Sequence, residues 1–378
     1  NWKWLEDDLF LWQPDQPLPT DQLVQFGFRQ IAQNERKVKP ENWEAYVRSP
    51  GIIFLKAVST GKELFSLSLE DPDLANQLTE TQGSIIDFSV SPDGEQVVLV
   101  QSNAQSGTDF WMMDRHGDNL SRILDCGSDL CSNPAWHPKK DEIVYTIEEE
   151  NSNSNQPGWE QPKPFLLNLV NGNSRPVLKD LSAIGFDPIW SSNGQWITIW
   201  KGENRGIEIV HSLTQEVVFR SETSDDTGCW SPDERYFYYS NVREEGLPIV
   251  SIIYQVEVFS ARQDYFTRSD LYDLGYNYYY PECHPKGEGV TAIVQIDPLI
   301  AQRELWWIKP DNSYFKIHAD LTKMVTQFKW NPDGWQGIFL IDTLAGFADG
   351  AQIALWENEN PNTVQMFQDN VFLIEWLP

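Results

Sequence analysis

The amino-acid sequence predicts an all-β protein, a single β-propeller, from a recurring phrase, the spacing of its copies and the turn chemistry within it. The phrase reads, loosely, apolar–x–Trp–Ser–Pro–Asp–Gly, and the residue after its Trp position falls at 91, 137, 191, 231, 284, 331 and 377. The intervals between these positions are 46, 54, 40, 53, 47 and 46 residues. Strand-rich repeats of about 40–50 residues are typical of propeller blades, each a four-stranded antiparallel sheet.

The clearest copy of the phrase, Ser91-Pro92-Asp93-Gly94, has the chemistry of a tight turn. Pro fixes φ, Asp can bond to the backbone that follows it, and Gly accepts a positive φ. An apolar segment precedes the turn and the apolar run 96–100 follows it, which predicts a β-hairpin. We expect strands near 84–90 and 95–102 here, and similar pairs around the other copies.

The last copy ends the chain at Pro378, so its blade lacks three strands. Residues 51–57, 64–69 and 76–80 have the pattern of the missing strands. We expect residues 371–376 to pair with residues 51–57 and close a ring of seven blades, because closure removes free sheet edges. On this interpretation residues 49–378 form the propeller and residues 1–48 an extension packed on it. The alternative is six blades and a separate N-terminal region.

Composition and charge exclude some partners. Of 378 residues, 40% are apolar and 22% charged, as in globular proteins, and the formal net charge is −28. Nucleic-acid binding depends on basic surfaces, so we expect no nucleic-acid partner. The sequence has no run of 18 apolar residues and therefore predicts no membrane span. It begins at Asn1 rather than at Met, which we interpret as a processed or trimmed start.

Motifs of known chemistry do not occur in the sequence. It has no G-x-S-x-G, no Gly-rich phosphate loop and no H-E-x-x-H. His137 and His284 both follow the Trp position, and we interpret them as turn residues in place of Ser rather than as a shared metal site. We therefore predict no cofactor, no metal and no catalytic residues.

The four cysteines predict one disulfide. Cys126 and Cys131 bracket a short loop between two predicted blades, a spacing that suits a small disulfide-closed loop, with reduced thiols as the alternative. Cys229 and Cys283 lie on neighbouring inner strands, but one register apart. Their side chains should then face opposite ways, so we expect both to be buried free thiols.

The predicted long connections all emerge on one face of the ring. This long-loop face carries the second-to-third-strand loops and the connections between blades, whereas the opposite, tight-turn face carries the Ser-Pro-Asp-Gly turns. Long loops on a rigid scaffold are the usual place for binding. We predict that a protein or peptide partner contacts residues of these loops: Glu148, Glu149, Glu150, Trp159, Asp270, Tyr272, Leu299, Ile300 and Phe347. Asp225, Asp226 and Asp273 add to the negative charge expected there.

The stretches SPDGEQVVLVQSN (91–103) and DFWMMDRHGDNLSRIL (109–124) resemble the β-propeller repeats of the TolB-like family, relatives of WD-repeat propellers. The likeness extends as a repeat over about 330 residues, with one strong copy and several degenerate ones. It implies a propeller fold, a bacterial envelope location and a role in binding partners. The family has no catalytic residues to transfer to this chain.

Two functions remain open from the sequence. The first is a non-catalytic, monomeric interaction scaffold of the bacterial envelope, periplasmic or otherwise extracytoplasmic, whose acidic surface would favour a cationic partner. The second is a propeller enzyme or a carbohydrate-binding protein with its site at the mouth of the central channel. Converging carboxylates at that mouth would favour the second function, and a flat or plugged channel the first.

Overall fold

The structure is a computed structural model of the 378-residue chain. It describes residues 50–151, 158–180, 182–202, 205–243, 248–267, 274–297, 299–300, 302–320, 322–343, 350–358 and 361–378, and the backbone of several strands within 1–49. The described residues contain no α-helix. No helix that could cross a bilayer occurs in this part of the chain.

Five sheets of the structure each contain four antiparallel strands in chain order. Before them, β1 to β6 are Trp2–Trp4, Phe10–Trp12, Gln22–Gly27, Ile31–Gln33, Arg36–Val38 and Asn42–Val47, and β7 to β9 are Gly51–Val58, Gly61–Ser68 and Asp71–Gln77. The first two of the five sheets consist of β10 (Ile85–Val90), β11 (Gln96–Ser102), β12 (Thr108–Asp114) and β13 (Ser121–Leu124), then β14 (Leu130–Trp136), β15 (Glu142–Glu148), β16 (Lys163–Asn168) and β17 (Ser174–Pro176). The third consists of β18 (Phe186–Trp190), β19 (Trp196–Trp200), β20 (Ile207–His211) and β21 (Val217–Arg220).

The fourth sheet has the shortest first strand. It consists of β22 (Cys229–Trp230), β23 (Tyr236–Val242), β24 (Ser251–Glu257) and β25 (Arg262–Tyr265). The fifth consists of β26 (Asn277–Cys283), β27 (Val290–Gln295), β28 (Glu304–Ile308) and β29 (Tyr314–His318). We call the first strand of each unit, which carries the Trp position of the phrase, the inner strand.

The two ends of the repeat region share a seven-stranded sheet. It runs from β30 (Lys323–Trp330), β31 (Gln336–Thr343) and β32 (Ala351–Glu357) through β33 (Val364–Leu377) to β7, β8 and β9. The first half of β33 pairs with β32, and its second half pairs with β7, with Trp376 opposite Ile52. Between the halves, Gln368 and Asn370 have positive φ angles of 50° and 63°, which turn the strand. The C-terminal strand therefore pairs with residues 51–56 as the sequence predicts.

The hydrophobic core lies between sheets that follow one another in the chain. Most clusters of buried side chains join two such sheets, for example Trp196 and Ile209 of the third with Phe237 and Ile252 of the fourth. A comparable cluster joins β7 and β8 to β10 and β11. Each sheet is therefore covered on both faces, which explains its continuous apolar runs.

Tryptophan side chains connect successive units in a repeated way. The indole N–H of Trp136 donates to the carbonyl of Ser89 in the preceding unit, at 3.1 Å. Trp190 bonds in the same way to the Ala135 carbonyl, and Trp376 to the Lys329 carbonyl, both at 3.1 Å. The accepting residue is always the one just before the Trp position of the preceding unit. This bond explains the Trp in three copies of the phrase, whereas the buried indole N–H groups of Trp230 and Trp330 have no hydrogen-bond partner among the described residues.

The remaining described strands lie before residue 50. Their backbones form three two-stranded pairs, β1 with β2, β3 with β6 and β4 with β5. Val24 of β3 is opposite Ala45 of β6. Residues 22–27, whose sequence pattern fits either a strand or a helix, therefore form a strand.

Candidate functional site

Irregular register marks the inner strands and sets which side chains they present. β10, β14, β18, β26, β30 and the second half of β33 each show a register shift against the next strand, a few residues before the Trp position. Asn133, Asp187 and Tyr280, each three residues before the Trp position, have positive φ angles of 52°, 40° and 51°. Such bulges bend a strand and redirect side chains, and they are frequent beside binding sites.

Charged side chains converge from these strands. Asp87 and Asp187 lie three residues before the Trp position, and Glu282, Lys329 and Glu375 lie one residue before it. They come from five different inner strands. The negative charges of Asp187 and Glu375 both act on Asp87, while Glu282 and Glu375 both act on Lys329. Glu375 thus acts on both Asp87 and Lys329, and the described residues at these two positions include four carboxylates and one ammonium group. We call these five residues the channel cluster.

The electrostatics of the channel cluster follow from burial and like charge. Burial, with the Asp187 and Glu375 carboxylates, raises the pKa of Asp87 to about 6, although N–H groups of Phe88 and Asn133 oppose the shift. Burial also raises the pKa of Glu282, against the effect of Lys329, whose Nζ lies 3.8 Å from the Glu282 carboxylate. The carboxylates Glu282 and Glu375 raise the pKa of Lys329. The cluster favours a positively charged group.

This cluster is absent from the sequence-based predictions, because the inner strands were interpreted only as packing elements. The sequence does contain a signal for the cluster. When the units are aligned on the Trp position, the five charged residues fall at only two repeat positions. The bulges, which turn those positions away from the core, have no such signal in the sequence, apart from the Asn and Asp that tolerate positive φ.

Asp226, predicted to add charge to the long-loop face, is instead buried. Its carboxylate accepts bonds from the N–H groups of Gly228 (3.1 Å), Ser240 (3.1 Å) and Tyr280 (2.7 Å) and from the Ser240 hydroxyl (2.5 Å). Burial raises the pKa of Asp226 to about 6 against these bonds. Because β22 has only two residues, the backbone pairing that a longer strand would supply is missing, and the hydrogen bonds to the Asp226 carboxylate replace it. It connects β23 to β26 and is not available to a partner.

The loop after β15 folds back on the molecule. The indole N–H of Trp159 donates to the Ser128 carbonyl at 3.2 Å, and the Glu150 N–H donates to the Asp129 carboxylate at 2.8 Å. Trp159 nevertheless keeps 44% of its surface exposed. Glu149 is paired with Lys163 at 2.6 Å. Glu148 is half-buried, and burial raises its pKa. The acidic run is thus partly neutralised and partly used to hold the loop.

The other predicted contact residues divide into two groups. Leu299 and Ile300, in the loop between β27 and β28, are 91% and 45% exposed. Asp270, Tyr272 and Phe347, with Asp273, lie outside the described residues. Further apolar side chains are exposed in or beside the connections of the fourth and fifth sheets: Val242, Ile249 and Leu274. Together with Leu299 and Ile300 these three form what we call the loop patch.

Both cysteine pairs form disulfides in the structure. Cys126 is bonded to Cys131, the pair expected from its spacing, with 6.3 Å between the Cα atoms. Cys229 is bonded to Cys283, with 5.6 Å between the Cα atoms, so the expectation of free thiols there is wrong. Cys283 stands at the Trp position and Cys229 just before it in the preceding unit. Trp136 and Ser89 stand in the same relation, so the offset read as a mismatch is the contact that joins neighbouring units.

His137 and His284 have structural surroundings. The Nδ1 atoms accept bonds from the N–H groups two residues on, Lys139 at 3.0 Å and Lys286 at 3.2 Å, as the Asp93 carboxylate accepts from the Glu95 N–H in the first turn. Nε2 of His284 lies 3.0 Å from the Gly334 carbonyl of the next unit. In the described ranges, no group of three or more His, Cys, Asp or Glu side chains could hold a metal ion.

Comparison with known proteins identifies the fold. No protein-family model and no curated protein matches the sequence. Among solved structures, the β-propeller domain of the Trilobed protease from Pyrococcus furiosus matches with a TM-score of 0.53 and 13% identity, over 75% of this chain and 84% of that one. The chain is a β-propeller. The predicted resemblance to TolB-like and related propellers is confirmed at the level of the fold.

Other matched structures belong to different functional classes. A puromycin-hydrolyzing peptidase of Mycobacterium tuberculosis matches with a TM-score of 0.59 and 10% identity, over 85% of this chain and 54% of the peptidase. TolB from Acinetobacter baumannii matches with a TM-score of 0.48 and 13% identity, over 88% and 83% of the two chains. This chain spans about half the length of the peptidase it matches. Identities this low speak for the fold alone.

Proposed function

We propose that residues 49–378 form one closed ring of seven blades and that residues 1–48 are an extension packed on it. The pairing of β33 with β7 supports closure, because it gives β7, β8 and β9 the inner strand that they lack in sequence. The buried cluster between β7 to β8 and β10 to β11 supports it further, since it joins the first unit to the last. Closure also covers the inner edge of β7 and leaves only the short outer strands of the blades as edges.

We infer that the protein is a non-catalytic, monomeric interaction scaffold whose partner, a protein or peptide, binds the long-loop face. The observation that carries this proposal is the loop patch, whose Leu299 and Ile249 side chains are 91% and 72% exposed. Exposed apolar clusters with polar surroundings are typical of interaction surfaces. The channel cluster adds negative charge from the inner strands, and the formal net charge of −28 would speed capture of a cationic partner.

An extracytoplasmic location, periplasmic in a bacterial envelope, accompanies this proposal. Its support is the two disulfides, Cys126–Cys131 and Cys229–Cys283, because such bonds persist in oxidising compartments and are rare in the cytosol.

The test begins with cross-linking and mass spectrometry in the native organism to identify the partner. Binding is then measured at low and high salt for the wild type, for Trp159→Ala and for a variant with residues 149–161 replaced by a short Gly-Ser turn. Trp335→Ala is the matched control, because Trp335 is 54% exposed but lies on the tight-turn face. We expect both loop variants to bind about tenfold or more weakly and the control to bind normally. Unchanged, salt-independent binding by the loop variants would contradict the proposal.

The second candidate function is a propeller enzyme or carbohydrate-binding protein with its site at the mouth of the channel. The channel cluster is the specific observation in its favour, since it brings carboxylates from separate strands within electrostatic reach of one another. An Asp87→Asn/Asp187→Asn variant tests it against a panel of oligosaccharides and peptides. Saturable binding or turnover by the wild type that this variant loses would support the site function over the scaffold.

A further inference from the structure

At most interfaces between successive units, residues of the chain itself fill the space at the Trp position. Trp136, Trp190 and Trp376 fill it with an indole ring whose N–H bonds to the preceding unit. Trp330 fills it against His284, with 4.7 Å between the ring centroids. In the first unit Val90 stands at the Trp position, and there Pro378 packs against Gly94 while its carbonyl accepts a bond from Arg115 at 2.8 Å.

At the interface between the fourth and fifth sheets, no indole ring of the chain occupies the corresponding space. Cys283 replaces the Trp, and its disulfide with Cys229 takes up less space than an indole. A groove of about 610 Å³ lies there, open on the tight-turn side. Its lining includes the Ser231-Pro232-Asp233 turn, Cys283, and Gly287 of the following turn. In other units the indole lies against the corresponding turn residue, as Trp190 does against His137, with 4.5 Å between the ring centroids.

We propose that this groove binds the aromatic side chain of a tryptophan residue in a peptide. The ring would take the position that the chain's own Trp takes elsewhere, next to the disulfide. The volume exceeds that of one side chain and is in the range of small-ligand sites, so residues beside the tryptophan would also enter. This site lies on the face opposite to the loop patch and is independent of it.

The chemistry of the walls fits such a ligand. Tyr238 and Phe266 pack edge to face, with 4.9 Å between centroids, and Tyr236 stands beside Tyr238 at 6.4 Å. Aromatic walls of this kind favour an inserted ring. Gln255 and Asn312 offer amide groups to a peptide backbone. Lys286, exposed at the rim, offers a positive charge to a carboxylate.

The experiment uses N-acetyl-L-tryptophanamide and a fluorotryptophan-containing tripeptide as probes, with calorimetry and ligand-observed fluorine NMR on the full chain. Two double variants distinguish the effect of the gap on probe binding from the effect of the disulfide. Cys229→Ser/Cys283→Ser removes the bond and leaves the gap, whereas Cys229→Ser/Cys283→Trp removes the bond and restores the ring of the other units. We expect the first to bind like the wild type and the second to bind at least about tenfold more weakly.

A third variant guards against a failure of either double variant to fold. Tyr265→Ala removes a half-exposed groove residue, keeps the disulfide, and should weaken probe binding several-fold. Circular dichroism and thermal unfolding check that each variant is folded. The proposal is overturned if the wild type shows no saturable binding, if the Trp variant and Tyr265→Ala bind as well as the wild type, or if neutral oligosaccharides displace the probes from the groove.

Discussion

Asp87 shows how the channel cluster couples charge to stability. Its carboxylate lies within reach of the charges of Asp187 and Glu375, and burial and these charges raise its pKa from 3.8 to about 6. A carboxyl group whose pKa is higher in the folded than in the unfolded chain binds its proton more tightly when folded. Its contribution to stability is therefore complete below about pH 4 and is lost as the pH rises through 6.

Asp87→Asn should remove this pH dependence. The full shift would correspond to about 3 kcal/mol, but the side chain is only half-buried, so we expect about 1 kcal/mol. The variant should be more stable than the wild type by this amount at about pH 7 and equally stable near pH 4, because the amide keeps its hydrogen-bonding oxygen and carries no charge. Urea unfolding across this pH range measures the difference. The exposed Asp141→Asn serves as the control.

A difference that is constant across the pH range would show that Asp87 acts by packing rather than by charge. The same measurement also bears on binding. If the channel cluster attracts a cationic group, affinity for that group should rise as the pH increases through about 6, because Asp87 gains its charge there.

The strands themselves were largely predictable, because turn chemistry and apolar runs coincide in each unit. The predicted strands near 84–90 and 95–102 correspond to Ile85–Val90 and Gln96–Ser102. The inner strand of the fourth unit, in contrast, contains only Cys229 and Trp230. Asp226 replaces its pairing by bonds to Ser240 and Tyr280. Hydrogen bonds between residues so far apart in the chain leave no pattern in the local sequence from which they could be predicted.

The Cys229–Cys283 bond shows what a strand-by-strand prediction omits. Alternation of side chains within one strand is a sound rule, but it says nothing about the angle between neighbouring sheets. The relation that matters is between the Trp position of one unit and the residue before it in the preceding unit. That relation follows from how two sheets pack against each other, as the hydrogen bond from the Trp190 indole to the Ala135 carbonyl shows.

Thiol counting tests both disulfides at once. Protein made in an oxidising environment and denatured without reductant should give no reaction with a thiol-reactive dye, and four equivalents should react after reduction. Two reactive thiols would favour free Cys229 and Cys283, and peptide mapping would identify them. Reduction should also destabilise the protein by about 2–5 kcal/mol, mostly through the longer loop closed by Cys229 and Cys283.

At the scale of the whole molecule, the two chain ends complete one another. The final strand belongs to two units: its first half extends the sheet of β30 to β32, and its second half pairs with β7. Side chains on the second half, including Val371, Ile374 and Trp376, are buried against residues from both ends of the chain. The spacing of the phrase was enough to predict this pairing, because the last copy ends without its partner strands. The channel cluster could not be predicted in this way, since it depends on the relative orientation of five inner strands in the folded chain.

Removal of residues 371–378 should therefore open the proposed ring. Four large buried side chains would be lost, Val371, Ile374, Trp376 and Leu377, at about 1.5–3 kcal/mol each. The sum is comparable to the entire stability of a typical domain, so we expect no cooperative unfolding transition and rapid amide exchange in β7, β8 and β9. A peptide of residues 371–378 added in excess should restore protection in β7, and a scrambled peptide should not. If the truncated chain unfolds at the wild-type midpoint with β7 still protected, the C-terminal strand does not hold the two ends together and the ring is not closed in this way.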